Sequence, residues 1–158
     1  GGWVGERVGT AWDGPRCGIR HHPVVLVATP TGVPPVAYGM NPAQARELTA
    51  LYKQAPGVFF HHAGHTHRNK RATSLAVPHV TFQEVSATKE YPGGFSLLRV
   101  HEGGYALNFY KFRDTAAQGW TERSRPGYLG TGRTCTFGNA GERNFVVKRD
   151  TSGLQRAW

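Results

Sequence analysis

The segment Asn41 to Ala63, NPAQARELTALYKQAPGVFFHHA, constrains the fold more than any other. Asn41 can cap a helix, Pro42 suits the first helical position, and Gln44 stands at capping-box spacing. Leu48, Leu51, Tyr52 and Ala55 follow at i, i+3, i+4 and i+7, one apolar face of a helix that Pro56-Gly57 ends. The apolar strand 58–63 begins at once. Upstream, Val24 to Ala28 (VVLVA) is a continuous apolar run that reads as a buried strand, closed by a breaker-rich loop from Thr29 to Pro35. Strand, loop, helix and strand in that order make a βαβ unit with parallel pairing.

The second half has a different grain. Val80–Ala87, Phe95–His101 and Tyr105–Arg113 alternate as strands, and Glu102-Gly103-Gly104 joins the last two as a hairpin. Asp114 can cap a short helix running through Thr121. Residues 1–23, rich in Gly, Arg and Trp, read as loops, and so does the chain beyond Pro126 until a small strand at Phe145-Val146-Val147. The expected fold class is therefore α/β, a βαβ unit followed by mostly antiparallel strands, and 158 residues suit one domain.

The chain carries a net charge of +9, which favours anionic partners. Its basic residues are scattered and not interleaved with aromatics, so nucleic acid ranks last among those partners. No apolar run is long enough to cross a membrane. Cys17 and Cys135 make no metal-type pair; a disulfide between them and two free thiols are both open. The chain starts at Gly1 with no Met, as a processed, trimmed or fragmentary chain would, and this leaves the compartment open.

The chemistry concentrates in VFFHHAGHTHRNK, residues 58–70, which holds four of the eight histidines. Ligands gather beyond the carboxyl ends of strands in open α/β sheets, and Gly64-His65-Thr66-His67 stands there. Gly64 permits a turn, after which His65 and His67, at i and i+2, can point the same way as ligands of one ion or of two. Imidazole suits Zn, Fe and Mn. The alternative is a pair of loop histidines without a metal. Arg68 and Asn69 follow directly and can meet a substrate phosphate or simply solvate the loop. His61 and His62 lie inside the strand, so one of them faces the core and packing roles are expected. Lys89 and Tyr91 lie on a Pro-Gly-bracketed loop, and His79 and His101 read as surface residues.

GHTHRN resembles the last metal motif, GHxH, of the calcineurin-like metallophosphoesterases, in particular actinobacterial members of the cyclic-nucleotide phosphodiesterase type. The likeness extends through PGVFFHHAGHTHRNKR, VSATKEYPGGFSLLRV and GGYALNFYKFRD, covering roughly residues 38–130. It implies that residues 1–130 form the C-terminal half of an αββα sandwich, with 1–23 poorly matched, and that 131–158 form a loop-rich extension. It implies a phosphoric ester hydrolase, phosphodiesterase or phosphatase, built on two divalent ions (Mn, Fe or Zn). His65 would bind the second ion and His67 the first, while His21 of His21-His22-Pro23 would supply the ligand that the family places at the end of a preceding strand. His21, however, precedes the run 24–28 and would lie at its amino end, unless Cys17-Gly18-Ile19-Arg20 is the strand. The family's Asp-x-His, Gly-Asp and Gly-Asn-His segments are not found in the sequence. The resemblance thus implies an incomplete enzyme lacking the N-terminal half of the domain, its substrate a phosphate ester such as a cyclic nucleotide. The competing reading is a degenerate, non-catalytic module that binds a partner or a polyanion.

Overall fold

The computed structural model describes residues 14–24, 40–127 and 132–153. Within them the chain is α/β, with one mixed and one antiparallel sheet. The first sheet contains β1 (Arg16–Arg20), β2 (Val58–Ala63), β3 (Lys70–Ala72) and β4 (Thr81–Glu84), in the order β1-β2-β4-β3. β1 and β4 both run parallel to β2, and β3 returns antiparallel along β4. The second sheet is β5 (Gly94–His101), β6 (Gly104–Lys111) and β7 (Asn144–Lys148), antiparallel throughout. Four helices accompany them: α1 (Pro42–Gln54), α2 (Thr115–Glu122), α3 (Gly132–Phe137) and α4 (Ala140–Arg143).

The βαβ unit exists with a different first strand. The run 24–28 lies, beyond Val24, outside the described residues, as does the loop that follows it. The strand before α1 that pairs with β2 is β1, in a stretch read as loop except for the alternative that Cys17-Gly18-Ile19-Arg20 is the strand, which the pairing bears out. Its sequence, RCGIR, carries a cation at each end and a glycine at its centre, so it has no apolar run to betray it. That glycine has a steric reason. A Cβ at Gly18 would lie 2.1 Å from the Tyr52 hydroxyl and 3.0 Å from His61 Nδ1, and those two atoms are themselves hydrogen-bonded at 2.7 Å. Tyr52 of α1 thus reaches across β1 to β2 through the gap that glycine leaves.

Helix α1 forms as its sequence indicates. Asn41 Oδ1 accepts from the Ala43 N–H at 2.9 Å, one residue short of the position that a capping box would use. Its buried face carries Leu48 and Tyr52, with Ala55 just beyond, against Val58, Val77, Val80 and Phe82. Each such aliphatic side chain stabilises the fold by about 1.5–3 kcal/mol. A second core of Phe59, Phe60, Tyr105, Leu107 and Phe145 fills the space between the two sheets. Adjacent residues Phe59 and Phe60 both belong to it because the ladder is irregular there. Arg16 pairs with Val58 but Cys17 pairs with Phe60, so Phe59 is an extra residue in a bulge. Beyond the bulge, His61 turns toward Tyr52 and α1.

The stretch expected as a loop-rich extension is structural in residues 132–148. Asn139 and Glu142 form a reciprocal capping box that starts α4, and β7 then completes the second sheet and places Phe145 in the core. Helices of six and four residues are too short for periodicity to reveal. Cys17 and Cys135 are free thiols. No described helix is long and apolar enough to cross a membrane.

Candidate metal centre

The parallel strands β1 and β2 end at the same edge of the sheet, and both run directly into histidines. His21 and His22 follow Arg20, and His65 follows β2 after Gly64. The Gly64 N–H donates to the His21 carbonyl at 3.0 Å, which ties the two strand ends together. His21 therefore lies at the carboxyl edge, not at the amino end expected from the run 24–28.

The turn after β2 is not pivoted on glycine. The left-handed residues are His65 (φ 65°) and His67 (φ 51°), and a Cβ at Gly64 would meet nothing closer than 3.9 Å. Such backbone is tolerated by histidine better than by most side chains, at a cost of order 1–3 kcal/mol each. The turn is held by its even-numbered residues. Arg68 donates to both oxygens of Glu84, at 2.7 and 3.0 Å, and the Thr66 hydroxyl donates to the same carboxylate. Both Arg68 and Glu84 are buried. Asn69 is buried as well. Its N–H donates to the Thr136 carbonyl at 2.9 Å, its amide nitrogen to the Phe137 carbonyl at 3.3 Å, and its Oδ1 accepts from the Ser86 N–H at 3.3 Å. Gly138 (φ 71°) makes this approach possible, because a Cβ there would stand 2.3 Å from the Asn69 carbonyl oxygen.

His65 and His67 stay partly exposed. His65 Nδ1 lies 3.0 Å from His21 Nε2, and its ring centroid is 4.1 Å from that of His22. One ligand atom from each of His21, His22 and His65 falls within 4.8 Å of the other two. His67 is not in that group, and its Nδ1 meets a Glu90 oxygen at 2.8 Å. Among the described residues no carboxylate joins the three clustered histidines.

The donor set suits a transition ion. Three imidazoles, with no thiol and no carboxylate, match Zn, Co or Fe and not Mg or Ca, which take oxygen donors. In a tetrahedral site with bonds of ~2.0–2.1 Å, neighbouring nitrogens are about 3.3 Å apart, a few tenths more than the His65–His21 separation. His21 and His22 are exposed and can adjust to that spacing. The imidazolium form of His65 is disfavoured by desolvation first, and then by His22, His21 and His67.

The remaining sequence candidates are distributed as follows. Arg68 and Asn69 brace the turn, with their polar groups directed at Glu84 and at backbone. His61 is buried on Tyr52, and its pKa is lowered to about 4 by burial, then by Arg20 and His62. His62, also within β2, is lowered by burial. His79 Nε2 lies 3.1 Å from the Tyr52 carbonyl, and His101 is exposed. Lys89 is exposed, whereas Tyr91 is buried with its N–H donating to Ser124 Oγ at 2.7 Å. The Pro-Gly-bracketed loop does approach the histidine turn, but through Glu90. Sequence reasoning left open whether His21 or His22 is a ligand, and it missed Glu84 and Glu90. For His22 the doubled histidine was the available signal, while the two carboxylates lie 16 and 23 residues from their partners and carried none. Compared with known proteins, the chain matches no family model, and no curated protein matches it either.

Proposed function

We propose that this chain is the C-terminal part of a metal-dependent phosphoric ester hydrolase of the metallophosphoesterase type. The observation that carries the proposal is the convergence of His21-His22-Pro23 and Gly64-His65-Thr66-His67 at the carboxyl edge of two adjacent parallel strands. His21 and His65 would hold one ion, and His67 would offer its Nε2 to a second. The chemistry such an ion would supply there, held by these histidines, is Lewis-acid assistance to phosphoric ester hydrolysis. Arg68 and Asn69 serve this reading by fixing the turn, and Glu90, bonded at Nδ1, would fix the tautomer and orientation of His67 as carboxylates commonly do for ligating histidines. A pair of ions also needs bridging carboxylate, and the proposal places it outside the described residues.

The test is hydrolysis of bis(4-nitrophenyl) phosphate with added Mn, Fe or Zn, using the product of the intact reading frame and its His65→Ala variant. Activity that falls by about 100-fold or more in the variant supports the proposal. Equal rates in the two proteins would overturn it.

A further inference from the structure

We infer that the chain itself binds a single Zn-class ion through His21, His22 and His65, with His67 outside that coordination sphere. This goes beyond the hydrolase reading and stands without it, since it concerns which ion the described residues hold and not what is then hydrolysed.

Three observations carry the assignment. The three side chains come from two strand ends that backbone pairing and the Gly64-to-His21 hydrogen bond keep together. Their ligand atoms already lie within 4.8 Å of one another, so closure on an ion needs side-chain adjustment and no backbone movement. His67 lies outside that group and its Nδ1 is engaged by Glu90 at 2.8 Å. The GHxH spacing alone pairs His65 with His67; the folded chain pairs His65 with His21 and His22 instead.

The ligand chemistry follows from the donors. Three neutral imidazoles around one dication leave the complex with a +2 charge and an open fourth position, as in catalytic sites with three protein ligands. With His21 and His22 exposed, that position faces solvent and admits water or an anion. Among the described residues no carboxylate belongs to the three-histidine group, and Glu90 is engaged by His67.

The experiment is a titration of the metal-free chain with Co²⁺, read by visible absorption, with Zn²⁺ competition for affinity. The expected result is one ion per chain, tetrahedral Co²⁺ bands, and a Kd on the order of 1 μM or tighter. His22→Ala, His21→Ala and His65→Ala should each weaken Zn²⁺ by about 100-fold or more, whereas His67→Ala should change it by about twofold at most. Circular dichroism checks that each variant is folded, and His22→Gln repeats the key substitution with a polar side chain retained. Two ions per chain, binding only at high micromolar concentration, undiminished affinity in the folded His22 variants, or a tenfold loss in His67→Ala would each overturn the assignment. Because no substrate is present, a failure of phosphodiester hydrolysis leaves this result unaffected, and the converse also holds.

Discussion

Two residues, His61 of β2 and Gly18 of β1, set distinct sensitivities. His61 is buried with Nε2 unpartnered and Nδ1 on the Tyr52 hydroxyl, and it resists protonation until about pH 4. The unfolded chain takes up that proton near pH 6.5, so between the two values the unfolded state binds more protons. Stability is therefore fully present above about pH 6.5 and falls as the pH drops toward 4, by up to about 3 kcal/mol. Denaturant melts at several pH values should show this slope, and His61→Gln should flatten it. Gly18 supplies a second test. Gly18→Ala drives a methyl into the Tyr52–His61 pair and should cost about 1–3 kcal/mol, read as a lowered urea midpoint. An unchanged midpoint would show that α1 can shift away from β1.

At the level of elements, the histidine turn depends on one carboxylate. Glu84 of β4 accepts from both Thr66 and Arg68, and the pair Arg68–Glu84 is buried. Glu84→Gln removes the charge that Arg68 faces and should destabilise the fold by about 3 kcal/mol. It should also weaken Zn²⁺ binding, although Glu84 touches none of the three clustered histidines. If Zn²⁺ affinity were unchanged in the folded variant, the turn would be held by something other than this clamp. What the sequence disclosed about these elements follows the range of the signals. Helix α1 and strand β2 were legible because cap, apolar face, stop and run are all local. β1 was visible only as an alternative, since Arg16-Cys17-Gly18-Ile19-Arg20 becomes a strand by pairing with residues some 40 positions on. The same limit divides the site. His65 and His21 could be picked out from neighbouring residues, whereas the contact of His67 with Glu90 spans 23 positions, which the spacing does not encode.

The whole molecule is tied together from its C-terminal part. Phe145 completes the inter-sheet core, Glu142 holds Lys70, and the carbonyls of Thr136 and Phe137 hold Asn69. A chain cut after residue 130 should therefore lose its cooperative thermal transition, whereas a detachable extension would leave it intact. The outer face of the second sheet behaves differently. Phe95, Leu97, Tyr110 and Val146 stand exposed on it, with Phe95 stacked on Tyr110 and Arg99 bonded to the Tyr110 hydroxyl at 2.7 Å. Partly exposed and paired only across strands, these side chains should each contribute about 0.2–1 kcal/mol, so a single substitution there should lower the melting temperature by only a few degrees.

The bonds from Asn69 to Thr136 and Phe137 also set a schedule for the nascent chain. At synthesis rates of roughly 5–20 residues per second, the ribosome needs several seconds to travel from position 69 to position 137. Throughout that interval the histidines have left the active peptidyl centre while the carbonyls that seat their turn do not yet exist. The turn is thus set after translation has passed its neighbours by, and an ion that arrives early meets loose imidazoles and no formed pocket.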